Sequence, residues 1–324
     1  MSLDALDQKI LFELDVNSRQ TLKQIANKTR SSKEVVAYRI KRLEEKGIIF
    51  KYLTVLDTSK LGFFLHKVMF KLENVNIEEK LKIIEYLKNH KNSLWVVECD
   101  GPFDVGFMIF ARDLHELDRV VSEVSDNLCR NIHERIVSTN ISGEYFSRNY
   151  LVGNRAIKNQ RYGSKKEKLK IDSKDWRILL ELVKNSRATM TEITQSVPIK
   201  IDAIRERIKK LERLGIISGY SVLLNHEGIG QLHYKVLLYL SDYSAGVLNS
   251  IKEFCKQNPN VTYFIKSLGV WDVEIDIEVE NPEQYRKIML GLMENFPKKI
   301  KKYDTLQIYK LHQYRYLPDQ SLLV

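Results

Sequence analysis

The sequence is poor in cysteine, proline and glycine, and it has no long apolar stretch. Its three cysteines, Cys99, Cys129 and Cys255, are odd in number and far apart. This set argues against a disulfide framework and favours a reduced, cytoplasmic compartment. No run approaches the ~18 apolar residues of a membrane-spanning helix and no signal-peptide pattern opens the sequence, so we expect no membrane partner. With only 14 glycines and 6 prolines, long disordered regions are not expected.

Sequence motifs of several enzyme classes are also missing. We find no P-loop, no GxGxxG after a predicted strand, no CxxC zinc pair and no nucleophile elbow. We therefore predict no catalytic residues, no metal site and no cofactor, and that the protein is not an enzyme.

Positive charge, by contrast, is in excess. The 324 residues carry 52 Lys and Arg against 42 Asp and Glu, a net charge of +10. Such a balance favours polyanionic partners, because each neutralised phosphate releases condensed counterions. A Lys-rich solvated surface would give the same total, so the positions of the charges must decide.

The chain contains a long internal repeat. Residues 17–49 and 185–217 are identical at 13 of 33 positions, without a gap and at a constant offset of 168. The same offset relates Asp4 to Asp172, Gly62 to Gly230, Lys67 to Lys235, and GPFDV at 101–105 to GVWDV at 269–273. A period this long indicates a duplicated two-part unit rather than a solenoid.

The first part of each unit, residues 1–60 and 171–228, is predicted to be a winged helix-turn-helix. Carboxylates at the first helix start suit free backbone N–H groups. Ser31 and Glu34 fit a capping box for a third helix over 32–46, whose buried stripe would be Val36, Ile40 and Leu43. Gly47 would end that helix, and the following strand would form the wing.

The third helix of each unit is predicted to enter a DNA major groove. In the first unit Ser32, Lys33, Ala37 and Tyr38 would face base edges, and Arg39, Lys41 and Arg42 would reach phosphates or bases. In helix 200–214 of the second unit the candidates are Lys200, Arg205, Arg207, Lys209 and Lys210. This second helix has lost the serine cap, and Glu206, which replaces Tyr38, would be repelled by phosphates. Winged helices also serve as protein-binding modules, an interpretation that the sequence leaves open.

The second part of each unit, residues 61–151 and 229–318, reads strand–helix–strand–strand–helix–strand. This order predicts a ferredoxin-like α+β domain. The intervening segment 152–170 has seven basic residues and one acidic residue, and we interpret it as an exposed linker.

The two predicted sheets differ on one face. In the second unit that face carries a row of acidic residues, Glu274, Asp276, Glu278 and Glu280, whereas the first unit has Gly106, Met108 and Phe110. We therefore expect a packed sheet in the first unit and a half-solvated sheet in the second. The acidic row would be solvated, paired with lysines, or hold a cation.

Together these features resemble the Lrp/AsnC family of feast/famine regulators. The resemblance rests on LDALDQKIL, on NSR, on RIKRLEEKGII and RIKKLERLGII, and on the two GxxD turns, and it covers nearly the whole chain twice. It implies a transcription regulator of double-stranded DNA in which two fused units form an internal pseudo-dimer. It also implies βαββαβ domains that dimerise, within or between chains, and that bind small effectors such as amino acids. The altered face in the second unit speaks against that effector binding.

Two alternatives remain open at this stage. In one, a single winged helix reads DNA while the other contacts a protein such as the basal transcription machinery. In the other, the chain is similar to siroheme decarboxylases, Lrp/AsnC-like enzymes that would need clustered His and Arg. The seven histidines are scattered along the sequence, which disfavours the enzyme: His66, His90, His115, His133, His226, His233 and His312.

Overall fold

The protein folds as two interlocked copies of the predicted unit. The computed structural model describes residues 3–128, 130–153, 159–163 and 169–317. The first unit contains α1 (Ala5–Val16), α2 (Leu22–Thr29), α3 (Lys33–Glu45), β1 (Ile49–Leu56), β2 (Phe64–Leu72), α4 (Ile77–Asn89), β3 (Ser93–Asp100), β4 (Val105–Ala111), α5 (Leu114–Leu128) and β5 (Ile132–Tyr145). A short strand, β6 (Gln160–Tyr162), precedes the second unit. That unit contains α6 (Ser173–Lys184), α7 (Met190–Ser196), α8 (Ile201–Arg213), β7 (Ile217–Leu224), β8 (Leu232–Leu240), α9 (Ala245–Gln257), β9 (Val261–Leu268), β10 (Val273–Val279), α10 (Pro282–Asn295) and β11 (Ile300–Tyr314). The α+β class is confirmed.

Side-chain caps define where the helices of the first helix-turn-helix begin. Asp4 accepts the backbone N–H groups of Leu6 and Asp7, and Thr21 forms a capping box with Gln24. For α3 the predicted capping box is wrong: Ser32 is the cap and accepts the N–H of Val35. The equivalent helix α8 begins without a side-chain cap, as the sequence predicts.

The strand that follows each helix-turn-helix pairs with its counterpart in the other unit. Strands β1 and β7 run antiparallel, with Tyr52 opposite Val222 and Thr54 opposite Tyr220. The predicted wing strands therefore join the two DNA-binding-type domains to each other. The backbone groups of each strand find their partners only because the second copy is present.

The two βαββαβ domains together form a closed barrel. Each has the strand order expected of a ferredoxin-like sheet, β3-β4-β2-β5 in the first unit and β9-β10-β8-β11 in the second. Strand β5 pairs with β9 and β11 pairs with β3, so neither sheet leaves an open edge at these junctions. Eight antiparallel strands, four from each unit, enclose a common interior.

The four helices of these domains cover the outside of the barrel. In the first unit Leu87 and Val120 pack on Phe107 of β4, and in the second Ile251 and Leu292 pack on the outward side of β10. Within the described ranges, none of the helices combines the length and the apolar character needed to cross a bilayer.

The acidic row of the second unit lies inside the barrel, so the predicted half-solvated sheet is wrong. Glu274, Asp276 and Glu278 are at most 6% exposed, whereas Glu280 is at the surface. Their partners come largely from elsewhere in the two units. Lys67 of the first unit pairs with Glu274, and Lys235 lies 3.3 Å from Glu274 and 2.5 Å from Asp276.

The central ion pair is fully desolvated. The side chains of Lys67 and Glu274 have no exposed surface. Burial lowers the pKa of the Lys67 ammonium to about 8, against the opposing effect of Glu274. Burial acts to raise the pKa of Glu274, but Lys67 and Lys235 outweigh it and the pKa is lowered. Both groups are therefore charged at neutral pH, and each depends on the other.

Part of the predicted exposed linker belongs to the fold. Gln160 is buried, and β6 extends the sheet beside β5, pairing Gly143 with Tyr162. The N–H of Gly163 donates to Asp57 and the N–H of Leu169 donates to the carbonyl of Lys60. The prediction is wrong for these residues, while 154–158 and 164–168 lie outside the described ranges.

Cys99 and Cys255 are buried and free. They pack in different apolar cores, and burial raises the pKa of each thiol. The third cysteine, Cys129, lies outside the described residues.

Removing the charge of Glu274 should destabilise the whole protein. We expect Glu274→Gln to lower the free energy of unfolding by about 3–5 kcal/mol, because Lys67 then remains charged and buried without its counter-ion. Urea unfolding monitored by circular dichroism measures the change.

The matched control is Glu280→Gln, exposed and one residue past the end of the same strand, with an expected change within about 0.5 kcal/mol. Adding Lys67→Met to Glu274→Gln should recover part of the loss. Equal effects of the two Glu→Gln changes would contradict the role assigned to the buried pair.

Candidate nucleic-acid interface

Helix α3 divides into a buried side and an exposed side, as its sequence predicts. Val36, Ile40 and Leu43 are at most 6% exposed and pack against α1 and α2 residues in one apolar core. The helix ends at Glu45, Lys46 is its C-cap, and Gly47 follows with a φ of +64° that favours glycine. Since the apolar stripe fixes the rotation of the helix, it also fixes which side chains face solvent.

The exposed side presents a cation, an aromatic ring and a small polar group near the start of the helix. Ser32 and Lys33 are exposed, and Tyr38 is 65% exposed. Lys41 lies one turn further and is only loosely associated with Glu45, 3.7 Å away. Ala37 is half-buried between them. These five predicted site residues form one continuous surface.

Arg39 and Arg42, also predicted to contact DNA, are turned toward helix α1. The Arg39 guanidinium contacts Asp4 and lies 3.0 Å from Asp7, and Arg42 lies 2.6 Å from Asp7. Asp7 is buried, so these contacts are made in a low-dielectric setting. The hydrogen bond from Arg39 lowers the pKa of Asp4 and raises the pKa of the guanidinium. In this structure the two arginines fasten the recognition helix to α1.

In the second unit the same ion pairs link α8 to the start of α6, with a lysine in place of one arginine. Arg207 contacts Asp172 at 2.7 Å and Asp175 at 2.6 Å, and Lys210 contacts Asp175 at 2.9 Å in the place of Arg42. Two predicted DNA contacts of α8 are thus occupied within the domain.

Two further predicted contacts of α8 pair with acidic residues of the same helix. Arg205 lies 2.5 Å from Asp202, and Lys209 lies 2.9 Å from Glu206. Lys200 is exposed at the helix start. Arg205 and Lys209 are therefore held closer to carboxylates than Lys41 of α3 is, although the two helices bury equivalent residues.

The repeated NSR motif joins the two helix-turn-helix domains. The hydroxyls of Ser18 and Ser186 are 2.6 Å apart. Arg19 donates to the Ser186 carbonyl and Arg187 donates to the Ser18 carbonyl, so the contact is reciprocal. Each guanidinium also lies over a tyrosine ring of the facing unit, 5.4 Å from its centroid. The signal in the sequence is the identity of this motif in both copies.

Known proteins with the same helix-turn-helix domains were found by comparison. A family model described as winged helix-turn-helix DNA-binding matches residues 3–49 and 171–218. An uncharacterized HTH-type transcriptional regulator of Pyrococcus furiosus is 32% identical over 146 residues, 43% of this chain and 94% of that protein. The HTH-type transcriptional regulator LrpA of Bacillus subtilis is 30% identical over 123 residues, 35% of this chain and 90% of that protein. The chain belongs to the Lrp/AsnC family of transcriptional regulators and carries the family's unit twice in tandem.

The whole two-unit arrangement also has a counterpart among solved structures. The siroheme decarboxylase NirDL superposes with a TM-score of 0.62 over 99% of this chain and 96% of that chain, at 12% identity. At this identity the likeness concerns the fold alone. It shows that two Lrp/AsnC-type units closing around one barrel is an arrangement found in another protein.

The structure brings together two histidines that are scattered in the sequence. The rings of His226 and His233 lie 4.6 Å apart between the second helix-turn-helix and the barrel. The interpretation of the histidines as dispersed is therefore wrong for this pair. Across the described residues, no group of three or more His, Cys, Asp and Glu side chains has an arrangement suited to a metal ion.

Substitution of the fastening arginine should affect stability more than substitution of an exposed cation. We expect Arg39→Ala to lower the unfolding free energy by about 1–3 kcal/mol, because Asp7 stays buried with one charge-assisted hydrogen bond fewer. Lys41→Ala should change it by less than about 0.5 kcal/mol. Thermal and urea unfolding of the full chain measure both, and a Lys41→Ala loss as large as that of Arg39→Ala would refute the assignment.

Proposed function

We propose that the protein is a sequence-specific regulator of transcription that binds double-stranded DNA mainly through helix α3. The observation that carries this proposal is the contrast between the two recognition helices. Helix α3 presents Lys33 and Tyr38 to solvent with Lys41 only loosely paired, whereas in α8 Arg205 and Lys209 lie 2.5 and 2.9 Å from carboxylates of the same helix and Glu206 takes the place of Tyr38. Of the two related surfaces, the one on α3 thus has the less closely paired cations and the aromatic side chain suited to a phosphate-lined groove.

The start of α3 would meet the bases. In helix-turn-helix proteins the first residues of the recognition helix contact base edges. Ser32 donates or accepts a hydrogen bond, Lys33 suits guanine acceptors, and the exposed ring of Tyr38 suits a thymine methyl. Lys41, one turn later, would reach a phosphate. Arg39 and Arg42 would contribute to DNA binding indirectly, because they hold α3 at its angle to α1.

The second helix-turn-helix would make a weaker or different contact. Glu206 stands where the first unit has Tyr38, and its pKa is lowered by the hydrogen bond from Lys209, so it remains an anion facing the groove. Because the NSR contact and the β1–β7 pairing fix the two domains against each other, both would approach one stretch of duplex. We therefore propose an operator of unequal halves.

A second candidate role for α8 is binding a protein such as the basal transcription machinery. The observation that favours it is the exposed surface of this helix, which combines self-paired charges with Ile201, 42% exposed. Such a surface suits a protein interface better than a polyanion. This role is compatible with DNA binding by α3.

An enzymatic role on tetrapyrroles is less well supported. The histidine pair and the NirDL fold are the arguments in its favour. The cavity beside those histidines has a volume of about 80 Å³, whereas pockets for drug-sized ligands have about 300–1,000 Å³. A macrocycle would require the barrel to open. A Soret absorption band in the purified protein would restore this alternative.

Substitution of two equivalent lysines tests whether α3 binds DNA more strongly than α8. These lysines are Lys41 and Lys209, which are 168 residues apart. We expect Lys41→Ala to weaken binding to a selected operator several-fold and to reduce the salt dependence of log K by about 1, the effect of losing one phosphate contact. Lys209→Ala should change affinity less than about twofold, because this ammonium is already paired with Glu206. Fluorescence anisotropy over a salt series measures both.

The charge-matched control is Lys82→Ala on the barrel surface, 71% exposed and remote from both recognition helices. It should leave the affinity and the salt slope unchanged. Equal losses from Lys41→Ala and Lys209→Ala would instead indicate two equivalent DNA readers.

A further inference from the structure

A chain of buried ionic contacts runs from the barrel interior to helix α1. It begins at Lys67 and Glu274 and continues through Lys235 and Asp276. Its other end is Arg148, which lies 2.8 Å from Glu278 and 2.6 Å from Asp15 of α1. The two histidines lie between the ends, with His226 at 3.0 Å from Glu278 and His233 at 3.6 Å from Asp276.

This series of buried contacts contains one more negative charge than positive charges. It contains four carboxylates, Asp15, Glu274, Asp276 and Glu278, and three permanent cations, Lys67, Lys235 and Arg148. All seven side chains are at most 8% exposed. An unbalanced charge in such a setting is costly. It can be balanced by a proton, on an imidazole or on Asp15, or by a bound cation.

A cavity adjoins the charged groups. It has a volume of about 80 Å³ and lies between β1, β7 and the barrel. One side is aliphatic, with Leu53, Leu56 and Leu65, and another carries the rings of Trp95 and Tyr263. Asp276, Glu278 and both histidines line the polar end, together with Lys235 and Arg148. By the space that one water needs, the cavity has room for about five to eight non-hydrogen atoms.

One imidazole at the polar end, that of His233, needs a hydrogen-bond partner. Both of its ring nitrogens are inaccessible to solvent and make no hydrogen bond to the described residues, whereas Nε2 of His226 lies 3.0 Å from Glu278. A neutral imidazole has one nitrogen that accepts. A ligand that donates hydrogen bonds and carries a positive charge would satisfy the accepting nitrogen of His233 and balance the carboxylates at once.

We propose that this cavity binds a small organic cation, an aliphatic chain of a few carbons ending in a protonated amine. The ammonium lies between Asp276, Glu278 and the imidazoles, and the chain lies against the leucines, with aromatic faces alongside that attract cations. A carboxylate ligand is disfavoured, since it would add to the excess of negative charge. This inference is independent of DNA binding, because no residue that lines the cavity belongs to helix α3 or α8.

The test uses the full chain and three probes of similar size, n-butylammonium, 1-butanol and butyrate, at equal ionic strength. We expect n-butylammonium alone to give a saturable change in tryptophan emission and a concentration-dependent rise in Tm. The emission change should disappear in Trp95→Phe, since Trp95 lines the cavity. Glu278→Gln should weaken binding of the amine by about tenfold or more, whereas Glu280→Gln, exposed just past the end of the same strand, should not.

Binding of 1-butanol equal to that of n-butylammonium would overturn the proposed charge recognition. Absence of saturable n-butylammonium binding to the folded wild-type chain would overturn the proposal altogether and indicate that a proton balances the carboxylates. Because both results come from the wild-type protein, they hold even if Glu278→Gln fails to fold.

Discussion

The buried pairing of Lys67 with Glu274 across the two units is the constraint on which the rest of the structure depends. It joins β2 of one half-sheet to β10 of the other across the interior of the barrel. A first unit facing another first unit would bury two lysines opposite Gly106 and its apolar neighbours. A second unit facing its like would crowd two acidic rows together. Only the combination present in this chain gives Lys67 a carboxylate without bringing two acidic rows together.

Fixing the pairing in this way releases the two recognition surfaces from symmetry. In a symmetric dimer any change in a recognition helix appears twice, on both half-sites. Here α8 could replace Tyr38 with Glu206 and lose its serine cap while α3 kept both. The same asymmetry reaches the interior, where Asp15 of α1 joins the buried network but its counterpart in the second unit is Val183. One DNA-binding-type domain is thus linked ionically to the barrel and the other is packed against it by apolar contacts.

The sequence predicted well those features that depend on local pattern. Helix periodicity located Val36, Ile40 and Leu43 in the core, and the order of strands and helices gave the ferredoxin-like sheets. Prediction from the sequence failed where the partner of a residue lies far away in the chain. Arg39 has the spacing of a DNA contact, yet Asp4 and Asp7 hold it from another helix. The acidic row looked solvated because nothing local shows that Lys67, more than 200 residues earlier, lies opposite.

Selection of binding sites from random duplex sequence by the full chain tests the central claim most directly. A fused pair in which α3 is the main reader should select a site with one well-defined half and one weak or unrelated half, at least about 10³-fold preferred over random sequence. Exchanging Tyr38 for Glu should then degrade the well-defined half specifically. A palindromic site with two equal halves would contradict the account, because it would mean that the two helices read DNA alike despite their different surfaces.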